Sequence, residues 1–309
     1  MASNQLNYKE AALESCAKLC DWISEVGNDP FLESRLALSG ESAIQLCFGE
    51  PHRLPQSIAY YFLSDHAEAD LERDQAECTE RLKLIGQELG ATEEVSDKKD
   101  RLTLKCTFPS IYKPSFTLPV TVEWTERLPM SQPESSKSWV PKKNGTDLSS
   151  HRVLRICNKE LVATTLFRSL SQTSCDTIQD LTNLQAALNE EWLDPTIRRA
   201  FIWMSIDLPR PISSYSVERF SQISQRELDY KVASVSLGGI APRVRQIIAA
   251  GKQALAPFLK LDEAETEFLK LWSEGIYRPE ILFVQDADLL ERVQSHPQHI
   301  LRVQSLQAS

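Results

Sequence analysis

No stretch of this chain is apolar for long enough to cross a membrane. Its start, Met1-Ala2-Ser3-Asn4-Gln5-Leu6, lacks the charged and apolar regions of a secretion signal, so a cytoplasmic protein without membrane attachment is expected. Paired cysteines are missing too. The seven present (Cys16, Cys20, Cys47, Cys78, Cys106, Cys157, Cys175) are odd in number, scattered and without a Cys-x-x-Cys spacing. They read as reduced thiols, several of them buried, and Cys16/Cys20, one helical turn apart with no histidine nearby, read as core rather than metal ligands. Internal repeats and low-complexity tracts are absent. Basic residues are in deficit: 34 Lys and Arg against 43 Asp and Glu leave a net charge of −9. That balance argues against a free-standing, nonspecific nucleic-acid binder, because phosphate affinity rests on clustered Lys and Arg. A local basic patch, or work inside a protein complex, stays compatible with it.

What remains is an ordinary globular composition, 42% hydrophobic and 25% charged over 309 residues, enough for two domains or one large one. Apolar residues recur at helical spacing from about 7 to 26, and Gly27-Asn28-Asp29-Pro30 ends that helix. A strand at 36–38 breaks at Gly40 into a helix over 41–47, and a second strand follows at 56–62. A charged helix is predicted over 65–89, then strands at 102–108 and 118–124, where Val120, Val122 and Trp124 alternate with Thr121 and Glu123. The Ser-, Pro- and Lys-rich residues 129–150 read as a long loop with the domain boundary at its end. Beyond it the pattern is helical, at 158–172, 176–190, 195–205, 216–230, 241–256, 262–274 and 286–302. Asp194-Pro195 and Asp262-x-x-Glu265 are helix-start signals. The fold class is therefore α+β: a small mixed sheet with flanking helices in residues 1–150, followed by a helical lobe in residues 151–309.

The strand–Gly40–helix–loop–strand unit resembles the opening of the nucleotidyltransferase fold. In particular it looks like the AbiEii family of toxin nucleotidyltransferases, which read Lys-Gly-Gly-Thr-Ala-Leu there and then Asp-x-Asp. The helical half adds to the resemblance. Glu160-Leu161-Val162-Ala163-Thr164-Thr165-Leu166, Ile178-Gln179-Asp180-Leu181, the run from Leu261 to Leu269, Tyr277-Arg278-Pro279-Glu280 and His296-Pro297 follow the family's order.

The reaction that the resemblance implies joins a nucleotide to an acceptor such as a tRNA end. It uses two Mg²⁺ ions on hard oxygen ligands. Asp-x-Asp on a strand aims two carboxylates at one metal site, because residues i and i+2 share a face. Here the matching positions are Ser57 and Ala59, and only the third family carboxylate is matched, by Glu123. Between residues 45 and 64 the sole acid is Glu50. Gly40 and Ser42 match the nucleotide-binding turn, with backbone N–H groups at a helix start and a hydroxyl for a phosphate. Glu41 stands where the family has Gly or Ser, and reads as a self-capped helix whose carboxylate opposes a triphosphate. On the helical side the family lysine matches Thr165, and the arginine after it matches Gln172, with Arg168 one turn back. The family's Arg-Asp pair falls on Asp176-Thr177, so Asp180 alone remains; a lone acid beside apolar residues commonly caps or pairs.

A framework kept while its metal and phosphate ligands are replaced together points to a pseudoenzyme. The expected role is a non-catalytic binding or scaffold subunit of a bacterial phage-defence or toxin–antitoxin-like module, with a protein partner, no cofactor and no metal. The alternative is an active nucleotidyltransferase using Glu123, Asp180 and Ser42 with Mg²⁺ and a nucleoside triphosphate. A third reading is an inhibitory paralogue that pairs with an active relative. Arg152/Arg155, Arg198/Arg199, Arg243/Arg245 and Lys142-Lys143 read as solvated faces; their convergence on one side would make RNA or DNA a partner. Trp139, Tyr215 and Trp272 are partner anchors or, more commonly, core.

Overall fold

The structure, a computed structural model, describes residues 8–48, 53–64, 68–98, 100–124, 129–142, 145–239, 241–296 and 299. Two compact units emerge. One comprises the described residues of Met1–Arg127, Pro133–Ile156 and Asp229–Ala241; the other those of Leu128–Gln132, Cys157–Leu228 and Pro242–Ser309.

The first unit opens with α1 (Glu10–Asn28), which buries Cys16, Leu19, Trp22, Ile23 and Val26 along one stripe. Asp29 stops it by taking an extended backbone and capping α2 (Pro30–Glu33). Its carboxylate accepts from the Phe31 N–H at 2.8 Å and the Leu32 N–H at 3.0 Å. Then come β1 (Leu36–Ser39), α3 (Gly40–Cys47), β2 (Ile58–Phe62), α4 (Glu68–Glu88), β3 (Thr92–Asp97), β4 (Arg101–Pro109), β5 (Ser115–Glu123), β6 (Glu134–Lys142) and β7 (Gly145–Arg155). The seven strands form one mixed sheet in the order β3-β4-β5-β2-β1-β7-β6. β2 runs parallel to β5 and β1 to β7, while the other neighbours are antiparallel.

Alternation along β4 and β5 builds one apolar face from Leu102, Leu104, Cys106 and Phe108 and from Leu118, Val120 and Val122. Ile58, Tyr60 and Phe62 continue it on β2, and Ile23 and Val26 of α1 close against Leu36, Leu38 and Tyr60. The opposite face carries Ala59 and Tyr61, in register with Thr121 and Glu123 on β5. Of the candidate residues, Ala59 and Glu123 lie on this second face.

Two expectations fail here. Residues 129–150 are not a long loop: β6 and β7 pair from Glu134↔Arg155 to Lys142↔Gly145. β6 is an edge strand with Ser138 its only buried side chain, so no apolar alternation announces it. β3, the other edge, is more exposed still and was not expected. All seven cysteines are free thiols, and Cys16, Cys78, Cys106, Cys157 and Cys175 are buried.

The second unit is helical, with α5 (Asn158–Ser171), α6 (Cys175–Leu188), α7 (Pro195–Met204), α8 (Gln225–Leu228), α9 (Val244–Leu255), α10 (Glu263–Ser273), α11 (Glu280–Phe283) and α12 (Ala287–Gln294). Asp194 caps α7 through the Thr196 N–H at 2.6 Å, with Pro195 at its first position. Asp262 and Glu265 close a reciprocal capping box on α10 at 2.8 and 2.9 Å. The helix expected over 216–230 is instead a short 3₁₀ turn at Val217–Gln222, then α8, then a π turn at Asp229–Ala233. Serines cause the break: Ser216 and Ser224 each accept a backbone N–H two or three residues on and restart the chain. α12 stops at Gln294, short of the expected 302; residues 300–302 lie outside the described residues. Phe258 packs edge-on against Trp192 and Phe201 in the core. Among the described residues no helix is long and apolar enough to cross a membrane. The observed architecture is the expected one, a mixed α+β sheet with flanking helices and a helical C-terminal lobe.

Candidate functional site

The turn between β1 and α3 is set by Gly40, whose φ of 59° lies in the left-handed region that glycine enters without a Cβ penalty. Glu41 follows in the first turn of α3, where the helix dipole favours an anion. Its carboxylate does not cap its own helix, as the sequence suggested. Glu41 Oε1 accepts a charge-assisted hydrogen bond from Arg53 Nη1. Glu41 Oε2 accepts from the Gln56 N–H at 3.3 Å and from Ser57 Oγ at 3.2 Å. The Arg53 side chain is only 2% exposed and that of Glu41 13%. A buried guanidinium demands a counter-charge, and Glu41 supplies it across the loop.

The loop that carries Arg53 is itself clamped. Arg53 bridges to Ser236, the Leu54 N–H donates to the Val235 carbonyl at 2.9 Å, and Gln56 Nε2 donates to the Lys231 carbonyl at 3.1 Å. Residues 231–236 thus return to the sheet unit and hold the approach to β2. Arg53 and the Gln56 N–H were missed from sequence. The one available signal was a lone arginine inside a Pro-rich loop, Arg53-Leu54-Pro55.

The other expected residues are distributed as follows. Ser42 is fully buried and donates to the Ser39 carbonyl at 3.3 Å, so its hydroxyl serves the turn. Ala59 pairs with Ser39 on one side and Thr121 on the other, bringing only a methyl to the polar face. Glu123 on that face is held by Arg101, Nε to Oε1 at 2.8 Å. Glu50 lies outside the described residues. In the helical unit, Thr165 is buried and its hydroxyl donates back to the Leu161 carbonyl at 2.7 Å. Gln172 ends α5, its N–H donating to the Arg168 carbonyl at 2.8 Å. Asp180 is 1% exposed within α6.

The basic pairs are not uniformly solvated faces. Arg155 is buried and ties β7 to Glu134 at 3.0 Å and Ser136 at 3.0 Å. Arg198 forks onto both oxygens of Glu265, at 2.5 and 2.7 Å, and onto the Pro257 carbonyl at 2.8 Å. Both are structural joints rather than phosphate contacts. Arg243 and Arg245 are exposed, and Lys142 pairs with Asp147. Tyr215 and Trp272 are core, and Trp139 is half-buried.

This arrangement of sheet, glycine turn and helical lobe has a known counterpart. The chain shares the fold of a solved nucleotidyltransferase toxin. That protein is MenT4 from Mycobacterium tuberculosis H37Rv, similar at a TM-score of 0.56 over 96% of this chain and 92% of its own. Sequence identity between the two is 14%, so the likeness is one of fold. No protein-family model and no curated protein matches the chain. Function on such a shared framework is decided by the site.

Proposed function

We propose that this chain is a nucleotidyltransferase-like pseudoenzyme, a non-catalytic binding or scaffold subunit of a bacterial phage-defence or toxin–antitoxin-like module. One observation carries the reading. The cradle after the glycine turn, where a phosphate would meet backbone N–H groups and the start of β2, is filled by the chain's own carboxylate: Glu41 engages Arg53, the Gln56 N–H and Ser57. An incoming triphosphate would have to displace that anion and strip a buried arginine of its counter-charge.

The donor set also fits the metals of such a reaction poorly. Two Mg²⁺ ions need several hard oxygen donors converging on one point. Ser57 gives a hydroxyl already turned to Glu41, Ala59 gives none, and Glu123 is neutralised by Arg101. No catalytic step through a metal follows from these residues. The partner in this reading is a protein. The structural likeness to MenT4 is what favours the alternative, an active toxin transferring a nucleotide to tRNA or another acceptor.

The test is a transfer assay with each labelled nucleoside triphosphate, Mg²⁺ or Mn²⁺, and bulk tRNA. Beside it runs a triple variant, Glu41→Gly with Ser57→Asp and Ala59→Asp. The unmodified protein is expected to stay silent. Metal-dependent label transfer by it overturns the proposal. Activity confined to the triple variant supports it, because the framework then lacks only its ligands.

A further inference from the structure

A cavity of about 250 Å³ opens in the sheet unit beside the Glu41 contacts, sharing Gln56 with them and otherwise unused by the reading above. Four stretches build it: the start of α1, the turn into β2, the β4–β5 hairpin with the start of β5, and the return segment at Ser234 and Val235. Among the described residues its charged lining is Lys9 and Lys113 alone. In a chain whose acids outnumber its bases, 43 to 34, a lining with two cations and no acid is not the average surface.

Both lysines are placed rather than adrift. The Lys9 stem lies along the Gly239 turn, where an added Cβ would stand 3.3 Å from its Cε. The Lys113 ammonium sits 5.4 Å above the centre of the Phe116 ring. Among the described residues neither ammonium is paired with a carboxylate. The acids beside this lining are committed elsewhere. Glu14 accepts from Ser110 Oγ and from the Ile111 N–H at 2.9 Å, and Glu41 faces Arg53. The wall adds the Ser234 hydroxyl, with Phe116, Leu118 and Pro55 as apolar surface, while Ser15 Oγ donates to the Ala11 carbonyl at 3.1 Å and the Thr117 hydroxyl pairs with that of Thr107 at 3.1 Å.

We infer that this cavity binds a small organic anion, a phosphate or carboxylate carried on a compact apolar body. Charge selects the anion: two ammonium groups without a carboxylate gain a partner, and the Ser234 hydroxyl donates to one of its remaining lone pairs. Size selects the rest. The volume lies just under the usual ligand-pocket range of about 300–1,000 Å³, which admits a small metabolite and excludes a peptide or an oligonucleotide. The inference does not depend on the pseudoenzyme reading, since both lysines stand apart from the metal and phosphate positions and only the Gln56 backbone is shared with them.

Calorimetric titration of the full chain with phenyl phosphate, benzoate and inorganic phosphate, with benzyl alcohol as the neutral control, tests it. Phenyl phosphate or benzoate should bind and benzyl alcohol should not; whichever anion binds tighter identifies the headgroup. Lys9→Ala and Lys113→Ala should each weaken binding about tenfold, the size of one lost charge-assisted hydrogen bond. Both side chains are exposed, so these variants keep the fold. Ala12→Phe should abolish binding with both lysines intact, because Ala12 lines the cavity. Absence of anion binding, equal binding of the neutral control, or full binding by Ala12→Phe each overturns the inference.

Discussion

Arg101 and Glu123 face each other directly across the β4–β5 pair, with Arg101 Nε 2.8 Å from Glu123 Oε1. A directly opposed guanidinium and carboxylate is a cross-strand pair of the kind that settles charge on a partly solvated sheet face. Arg101 is 47% and Glu123 24% exposed, so water screens the pair. Glu123→Gln is therefore expected to lower stability by less than about 1 kcal/mol in urea unfolding, with Arg101→Gln matching it. A loss several times larger would mean that Glu123 has a role beyond this pair.

Arg53 and Glu41 should behave in the opposite way. Here both side chains are shielded, and removing one leaves a charge in a poor environment. Arg53→Met and Glu41→Leu are each expected to cost about 3–5 kcal/mol, and the double variant much less than the sum. A double-mutant cycle by urea denaturation reads this directly. Additive losses would show that the two residues are not each other's partner.

The parts of this fold that could be read from sequence are those where burial is local and periodic. β4 and β5 alternate cleanly between Leu102, Leu104, Phe108 and Val120, Val122 and their polar neighbours, and Asp194 and Asp262 announce their helices by capping. β3 and β6 could not be read that way. Each is an edge strand with at most one buried side chain, and its conformation is set by its neighbour's hydrogen bonds rather than by its own apolar pattern. The site failed for a related reason. Glu41 carries a helix-start signal, but its direction is fixed by Arg53, twelve residues on in an irregular loop that no periodicity describes. Ser42 looked like a phosphate ligand by position, yet it is buried and spends its hydroxyl on the Ser39 carbonyl.

A third prediction concerns Gly251 in α9. Replacing a helical glycine with alanine ordinarily gains up to about 1 kcal/mol. At this position a Cβ would stand 2.6 Å from Ile178 Cγ2 and 3.4 Å from the Phe220 ring. Ile178 and Phe220 are fully buried, so neither has room to yield. Gly251→Ala should instead cost about 1–3 kcal/mol, the range for an overpacked core. Adding Ile178→Leu, which removes the offending branch methyl, should restore part of the loss. Thermal unfolding of the two variants distinguishes this from a helix-propensity gain, which would raise the midpoint in Gly251→Ala alone.

The last prediction turns on Glu160, buried in α5, whose two oxygens accept the Met130 N–H and the Ser131 N–H at 3.2 Å each. Burial pushes its carboxyl up to about 7, against those two N–H bonds and the nearby Arg292, which pull it down. Arg292 is anchored on the same segment, donating to the Pro129 carbonyl at 3.3 Å. The folded state therefore holds the proton more tightly than the unfolded chain, whose carboxyl titrates near the ordinary value of 4.5. Glu160's contribution is complete below the unfolded value and is lost as pH rises through the folded one. In that window stability should fall by up to about 1.4 kcal/mol per pH unit on this group's account. Glu160→Gln cannot titrate, so the difference between the two proteins' unfolding free energies isolates the effect. Urea denaturation stepped from about pH 5 to about pH 8 should show wild type losing ground to the variant as pH rises. Parallel curves would mean that the two N–H bonds and Arg292 offset the burial and that Glu160 stays ionised throughout.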